Sequence, residues 1–439
     1  MEVIKTEHKI TKVGSIPSDW EVKKFGEVFD FIKTASHSKN QMTYEDTESQ
    51  IYNVHYGAIH TTYREQILDF DKYNVPRITD DSPVPRTDQF LQDGDLVIVD
   101  ASEDWDGMGE CVELKNIRDK KVIGGLHTYA VRDNKGLFAK GFAGYIFQNT
   151  AVRNRLASYA NVSKVYGITK GNISIVPLVI PPLPEQQKIA EILSTVDEQI
   201  SATERIIEKS KELKKGLMQK LFSEGIGHTE FKDTKIGRIP KDWDFDRLSN
   251  KIELIHGYQF RTDDFTEDGI AVVKINNVSG GYLDTSNLSF ISSDRLEEFK
   301  KYEIKDNDVL MSLTGNIGRV VQVLCLDRVY LQNYRVGKFK AINQGVLHHN
   351  LIKHILSSNI VLKQLEKFSN QSAQANFGKQ DLDKIWFGFP PLPEQQKIAE
   401  ILSEADNKIE QEEKYRSELE QLKKGLMQQL LTGQKRVIV

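Results

Sequence analysis

Apolar positions in most of this chain recur over short distances, and along two stretches they switch to a longer step. Segments such as IYNVHYGAI, DLVIVDA, AVVKINNV, VLMSL and RVVQVLCL are short and rich in β-branched residues, the pattern of strands. IFQNTAVRNRLASYA and HHNLIKHILSSNIVLKQLEKF carry helical spacing instead. Two longer stretches stand apart. Ile189, Leu193, Val196 and Ile200 follow one another in steps of four and three, as do Ile398, Leu402, Ala405 and Ile409. This heptad spacing predicts helices packed along a partner helix. Thr203 and Glu412 fall on the seam. Apolar contacts are expected to resume at Ile206, Leu213, Leu217 and Leu221 in the first stretch, and at Tyr415, Leu419, Leu422, Leu426 and Leu430 in the second.

Both stretches open on the same words. PPLPEQQKIAEILS runs from Pro181 to Ser194 and again from Pro390 to Ser403, an offset of 209 residues. LKKGLMQ recurs at the same offset, from Leu213 to Leu422. Constant spacing argues for one continuous regular element, because loops tolerate length changes. The prolines force an extended entry, and Pro184 and Pro393 suit a first helical turn, where a missing N–H costs little. Glu185 and Glu394 complement the positive helix start. A helix of about 40 residues is about 60 Å long.

A second repeat marks the start of each half. TKVGSIPSDW begins at Thr11 and TKIGRIPKDW at Thr234, an offset of 223, so the first intervening region is 14 residues longer than the second. The predicted fold class is α+β: two globular α/β regions separated by two long antiparallel, coiled-coil-like helices, with a pseudo-twofold internal repeat. The boundaries are 1–180, 181–224, 225–389 and 390–439. Antiparallel pairing follows from chain order, since the second helix must turn back to bury its stripe on the first. Outward-facing residues are expected to be Gln186, Gln187 and Lys188, matched by Gln395, Gln396 and Lys397. Their repetition points to a partner present twice.

Composition narrows the classes little. The chain has 439 residues, 39% hydrophobic and 28% charged, with a net charge of −4. That charge is weak evidence against nucleic acid, because phosphate binding needs only a local basic face. No window approaches the ~18 apolar residues of a membrane span. The opening MEVIKTEHKITKV lacks the apolar core of a secretory signal, so a cytoplasmic location without membrane contact is expected. Two distant cysteines, Cys111 and Cys325, make neither a disulfide framework nor a metal cluster. There is no phosphate loop, no nucleophile elbow and no HExxH helix. His348, His349 and His354 read as a polar helix start rather than metal ligands. Asp104 and Asp106 read as a polar turn.

PPLPEQQKIAEIL followed by LKKGLMQ, placed centrally and C-terminally after two divergent regions, closely resembles the specificity (S) subunit of type I restriction-modification enzymes. The IPxDW starts and the TGNIG turn at Thr314–Gly318 belong to the same resemblance, which covers nearly the whole chain. It implies that each variable region is a target recognition domain reading one half of a split double-stranded DNA sequence. It implies that the helices set the gap and bind two methyltransferase (M) subunits. Those subunits would carry S-adenosylmethionine, and restriction (R) subunits would join them. The chain itself would have no catalytic site, metal or cofactor. The readings that compete are a related methylation-only or phage-defence complex, an enzyme acting alone, and a scaffold without a DNA role.

Base readout uses polar and cationic side chains on loops, while phosphate contacts position the protein. In the first half the candidates are His60, Thr61, Tyr63, Arg64, Lys164, Tyr166 and Lys170. In the second they are Tyr258, Arg261, Lys274, Asn276, Asn277, Thr314, Asn316, Arg319, Gln374, Asn376 and Lys379. Lys170 and Lys379 share the 209 offset and suit phosphate contact.

Overall fold

Each heptad stretch folds as one uninterrupted helix in the computed structural model, which describes residues 7–48, 50–63, 65–103, 107–162, 166–279, 281–369 and 376–437. Four helices matter below: α1 (Thr150–Ser158), α2 (Leu183–Ser223), α3 (Asn359–Ser369) and α4 (Leu392–Leu431). The chain divides into two units, Met1–Arg205 with Glu413–Val439, and Ile206–Glu412. The start of α2 and the end of α4 therefore belong to the first unit, and the start of α4 and the end of α2 to the second. Among the described residues no helix is long and apolar enough to cross a membrane.

The first unit holds a five-stranded sheet in the order Phe29–Ile32, Thr128–Asp133, Leu96–Val99, Cys111–Lys115, Ile67–Asp69. Alternate residues of one strand feed two cores, as a pleat requires. Leu96 and Ile98 pack toward Ile189 and Leu193 of α2 and Leu430 of α4. Val97 and Val99 pack with Val54 and Val122 from a second, four-stranded sheet. The second unit repeats the plan. Val309 and Met311 share a core with Ile398 and Leu402 of α4 and Phe222 of α2. Leu310 lies on the other face with Ala271, Val273 and Tyr330.

A small frame ties each head to its helix. The repeated T-K-x-G words are hairpin turns in which Thr11 and Thr234 hydroxyls donate to the carbonyls of Gly14 and Gly237. Both glycines sit at positive φ, +99° and +109°, which L side chains rarely adopt. The strand after each hairpin pairs antiparallel with the strand before each long helix: Glu21–Lys24 with Pro177–Ile180, and Asp244–Arg247 with Trp386–Phe389.

The helix starts are clasped. In the first unit the buried Trp20 indole donates to Glu185 at 2.9 Å, and the Arg436 guanidinium donates to both Glu185 oxygens at 2.6 and 2.7 Å. The same guanidinium reaches Asp19 at 2.8 and 3.0 Å, and this contact holds the Asp19 carboxyl below its ordinary range. In the second unit Trp243 donates to Glu394 at 3.0 Å, and His228 Nε2 lies 3.0 Å from both Glu394 oxygens. His228 Nδ1 lies 3.2 Å from Asp242. The Asp-Trp of each IPxDW word thus meets the Glu of each PLPE word, with a cation-capable residue from the end of the other long helix between them.

Further along, the buried line keeps strict heptad steps where the sequence reading shifted it. Thr203 and Ile207 are buried, whereas Ile206 and Leu213 are exposed; likewise Leu419 is buried, whereas Tyr415 and Leu422 are exposed. The expected seam contacts of Ile206, Leu213, Tyr415 and Leu422 are therefore not made. The reason is that each seam position lies one residue further on: Ile207 and Arg416 take the place expected for Ile206 and Tyr415, and Lys214 and Lys423, which an apolar count skips, take the place expected for Leu213 and Leu422. Lys214 pairs with Asp406, to which Lys353 also binds at 2.7 Å. Burial alone would raise the Asp406 pKa, but Lys353 and Lys214 outweigh it and hold it low. In the first unit Lys423 pairs with Asp197 at 2.5 Å, and Tyr145 donates to the same carboxylate at 2.7 Å. There Asp197 meets Lys423 while Glu185 meets Arg436, so the two helix segments run antiparallel within that unit.

Two outcomes are expected. Truncation after Gln434 removes Arg436 and leaves the Glu185 carboxylate, only 3% exposed, without its counter-charge. This destabilises the first unit by about 3 kcal/mol, and Glu185→Gln in the truncated chain recovers part of the loss; an unchanged thermal unfolding profile would contradict the clasp. His354 in the second unit is buried, and burial pushes its pKa from 6.5 down to about 3. The unfolded chain then holds the extra proton between those values, so stability falls as pH falls through that window, by about 1.4 kcal/mol per pH unit. In urea melts, His354→Leu should lose about 2 kcal/mol less than the parent between roughly pH 6.5 and 5.

Candidate nucleic-acid interface

In the second unit four strands end close together. His256 and Met311 both pair with Gly337 across the four-stranded sheet. Val273 pairs with Gln332, and the Asn333 amide donates to the Val273 carbonyl at 3.1 Å. Loops leaving these strand ends are thereby gathered at one place, and most candidate readers lie on them.

The Thr314–Arg319 turn shows how local sequence builds this surface. Ser312 donates to the Asn316 carbonyl at 2.6 Å and accepts from the Arg319 amide at 3.2 Å. Gly315 and Gly318 take positive φ, which folds the turn back on the strand. Asn316 and Arg319 are left exposed. Thr314 bridges Asn376, and the next amide, Phe377, donates to Leu313 at 2.8 Å, so two distant candidate loops are joined. Lys379 is exposed at the start of a short helix and lies near enough to His256 to help lower its pKa, an effect in which burial comes first.

Other candidates differ in availability. Arg261 and Asn276 are exposed. Lys274 is half-buried with its ammonium 3.8 Å from the Phe265 ring centroid, and burial lowers its pKa. Tyr258 is packed among Phe260, Phe299 and Tyr302. Asn277 is a correction: it is 3% exposed, and its amide ties together Lys274 N, Asp284 O and Asn287 O, so it shapes the loop and cannot reach a base edge. Tyr334 and Arg335 were missed. They sit at the same strand end, with Arg335 exposed and its Nε donating to the Tyr334 hydroxyl at 2.8 Å. The aromatic-cation pair in NYRV was a readable signal.

The first unit gathers a comparable neighbourhood around the ends of Ile51–Val54 and Leu96–Val99. His60 lies on the short helix Tyr56–Thr61 with Nδ1 2.5 Å from Glu110, and Thr61 is exposed. Tyr166 pairs with Ser102. Lys170 is exposed at the start of a short helix, as Lys379 is, with its ammonium 5.2 Å from the Phe31 ring and 5.8 Å from Tyr129. Tyr63 is a second correction. It is 4% exposed against Tyr73, and burial pushes its hydroxyl pKa up, so it belongs to the core. His127, at φ +52° beside Asp100, was missed; it follows the paired glycines of GGLH, where a Cβ on Gly125 would strike Asn53. Asp100 is raised by burial, which His127 opposes. Arg64, Lys164 and Gln374, like Asp104 and Asp106, lie outside the described residues.

On the helices the repeated glutamines divide. Gln187, Lys188, Gln396 and Lys397 are exposed, with Lys188 donating to Glu191 and Gln396 to Glu400. Gln186 and Gln395 are corrections: they are 0% and 1% exposed. Gln186 donates to Leu137 O and Pro181 O and accepts from Ala139 N; Gln395 donates to Val346 O and Pro390 O and accepts from His348 N. Each sits on the face of Ile189 or Ile398, three residues on, and so points into its own head. Among the described residues no group of three or more His, Cys, Asp or Glu could hold a metal.

The family model described as the type I restriction modification DNA specificity domain matches residues 17–212 and again 240–421. The type I restriction enzyme MjaVIII specificity subunit of Methanocaldococcus jannaschii is 28% identical over 430 residues, spanning 96% of this chain and 94% of that one. The crystal structure of a type I restriction-modification S subunit from M. genitalium superposes with a TM-score of 0.57 at 14% identity, covering 94% of this chain and 96% of that one. A chain from a solved type I R-M system gives 0.53 at 14% identity, with 96% and 99% covered. With the family matched once in each half, the chain belongs to the type I restriction-modification DNA specificity family, as a specificity subunit that recognises DNA and is not itself catalytic.

Proposed function

We propose that residues 1–180 and 225–389 are target recognition domains that each read one half of an asymmetric, bipartite double-stranded DNA target. Residues 181–224 and 390–439 are spacers that set the gap and dock two M subunits, which bring S-adenosylmethionine; R subunits complete a restricting complex. The observation that carries this reading is the gathering of polar, cationic loops at the strand ends of each head. Arg319, Asn316, Asn376 and Arg335 are residue types that pair with base edges. Lys170 and Lys379 are placed alike in the two heads, as phosphate contacts to a repeated backbone would be.

The partner face of the spacers follows from what the seam leaves out. Ile206 and Tyr415 are 43% and 47% exposed, and Leu213 and Leu422 are 66% and 50% exposed. These are equivalent positions at the 209 offset, like the exposed Gln187-Lys188 and Gln396-Lys397 pairs. Large apolar side chains left in water twice, in matching places, suit one kind of partner bound twice.

Two measurements follow. Lys170→Ala or Lys379→Ala, in the complex with M, should weaken binding to all duplexes alike and reduce the salt slope by about 1, whereas Arg319→Ala should cost about 1–3 kcal/mol on one half-site only. Equal losses on target and random duplex for Arg319→Ala would sink its role as a reader. Leu213→Glu or Leu422→Glu should each release one M subunit, and the double variant both, as read by mass of the purified complex. Full retention of both M subunits in the double variant would refute this docking face.

A further inference from the structure

The second unit contains a cleft of about 990 Å³ bounded by the hairpin Phe231–Pro240, the end of α2, α3 and the strand Trp386–Phe389. Its walls are strongly basic, carrying Lys235, Arg238, Lys363, Lys367 and Lys384 against the single carboxylate of Glu224. Phe231, Ile236, Ile360 and Trp386 supply an apolar lining. Lys235 lies 4.7 Å from the Trp386 ring and Arg238 4.5 Å from the Phe231 ring, so cations and rings are interleaved. Lys363 and Lys367 are exposed one turn apart on α3.

The other half carries less of this charge: Lys235 is matched by Lys12 and Gln364 by Arg155, whose guanidinium donates to the Lys12 carbonyl at 2.9 Å, but the remaining cations are replaced. At the offset shared by α1 and α3, Lys363 and Lys367 correspond to Asn154 and Ser158, and Lys384 to Ile175. At the hairpin offset Arg238 corresponds to Ser15. The cleft also faces away from the candidate reader turn. Leu362 and Leu365 of α3 pack against Gly318, where a Cβ would lie 3.0 and 3.5 Å from them. Residues 360, 363, 364 and 367 lie on the opposite side of the helix at 100° per residue and line the cleft.

We propose that this cleft docks an acidic, partly apolar segment of a partner protein, one per chain. Lys384 already pairs with Asp381 at 2.8 Å, so Lys235, Arg238, Lys363 and Lys367 are the cations that call for carboxylates, and the Phe231, Ile236, Ile360 and Trp386 lining calls for apolar side chains between them. A duplex backbone would satisfy the charge but leave that lining bare, and α3 separates the cleft from the Thr314–Arg319 turn. The inference goes beyond DNA reading and does not depend on it.

The test uses the full chain in complex with M and a fluorescein-labelled peptide of repeated Glu-Glu-Leu-Phe, with a random-sequence duplex as the second probe. The parent should bind the peptide with an affinity that falls with salt. Lys363→Glu with Lys367→Glu should weaken peptide binding at least about tenfold while duplex binding stays within about twofold. Lys363→Gln with Lys367→Gln gives the same direction should the reversed charges disturb folding. Absence of peptide binding by the parent, or equal binding by parent and variant, overturns the proposal. A variant that loses duplex binding and keeps peptide binding overturns it too, and assigns the cleft to DNA backbone.

Discussion

A carboxylate at the start of a long helix, buried in one half and mostly covered in the other, is the contact on which each half of this protein depends. Glu185 and Glu394 sit where the helix dipole favours a negative charge. Each is held by an indole from the IPxDW hairpin and by a residue that follows the end of the other long helix. In the first unit three parts of the chain far apart in sequence are thereby fixed to one group; in the second, the neighbouring His228 and Trp243 are fixed to the distant Glu394. The strand pairs beside each hairpin and the hydrophobic core beneath the helix start build outward from that point.

The two clasps are equivalent in position but not in chemistry. Arg436 closes one with a forked, permanently charged group, and Glu185 raises its already high pKa further. His228 closes the other, with its second ring nitrogen turned to Asp242. The seam, by contrast, is chemically alike in both units: Lys214 with Asp406, and Lys423 with Asp197. A charged pair within an apolar seam costs stability and specifies register, since a slip of one heptad would bury each lysine without its carboxylate.

Much of this architecture was readable in the sequence because repetition reported it. The two long helices and the strand character of the heads followed from spacing and composition, whereas the hairpins at Thr11 and Thr234 showed in the sequence only as a repeated phrase. Positions whose role depends on distant partners were not readable. Gln186 and Gln187 are neighbours of the same type; Gln186 continues the heptad line of Ile189 and Leu193 back by one step, but its polar side chain has no place in an apolar count and its main-chain partners in the head are distant in sequence. Leu213 looked like seam and Lys214 like surface, and only Asp406 reverses them. Arg436 and His228 fall in unrepeated segments, so no pattern announced them. In the candidate interface, strand ends were visible but their convergence was not, because it is set by pairings such as His256 with Gly337 and Met311 with Gly337. Tyr63 and Asn277 have the residue types of readers, and burial alone removes them.

Gln186 and Gln395 make their hydrogen bonds to main-chain atoms of the heads they secure: Leu137 O and Ala139 N in one, Val346 O and His348 N in the other. Such a grip is blind to side-chain identity. A head can be rewritten at nearly every position and still be held, provided its backbone passes the glutamine with one carbonyl and one amide turned toward it. The repetition of the helix starts and the divergence of the heads are then two sides of one arrangement, in which the scaffold checks the path of the chain and leaves its lettering free to change.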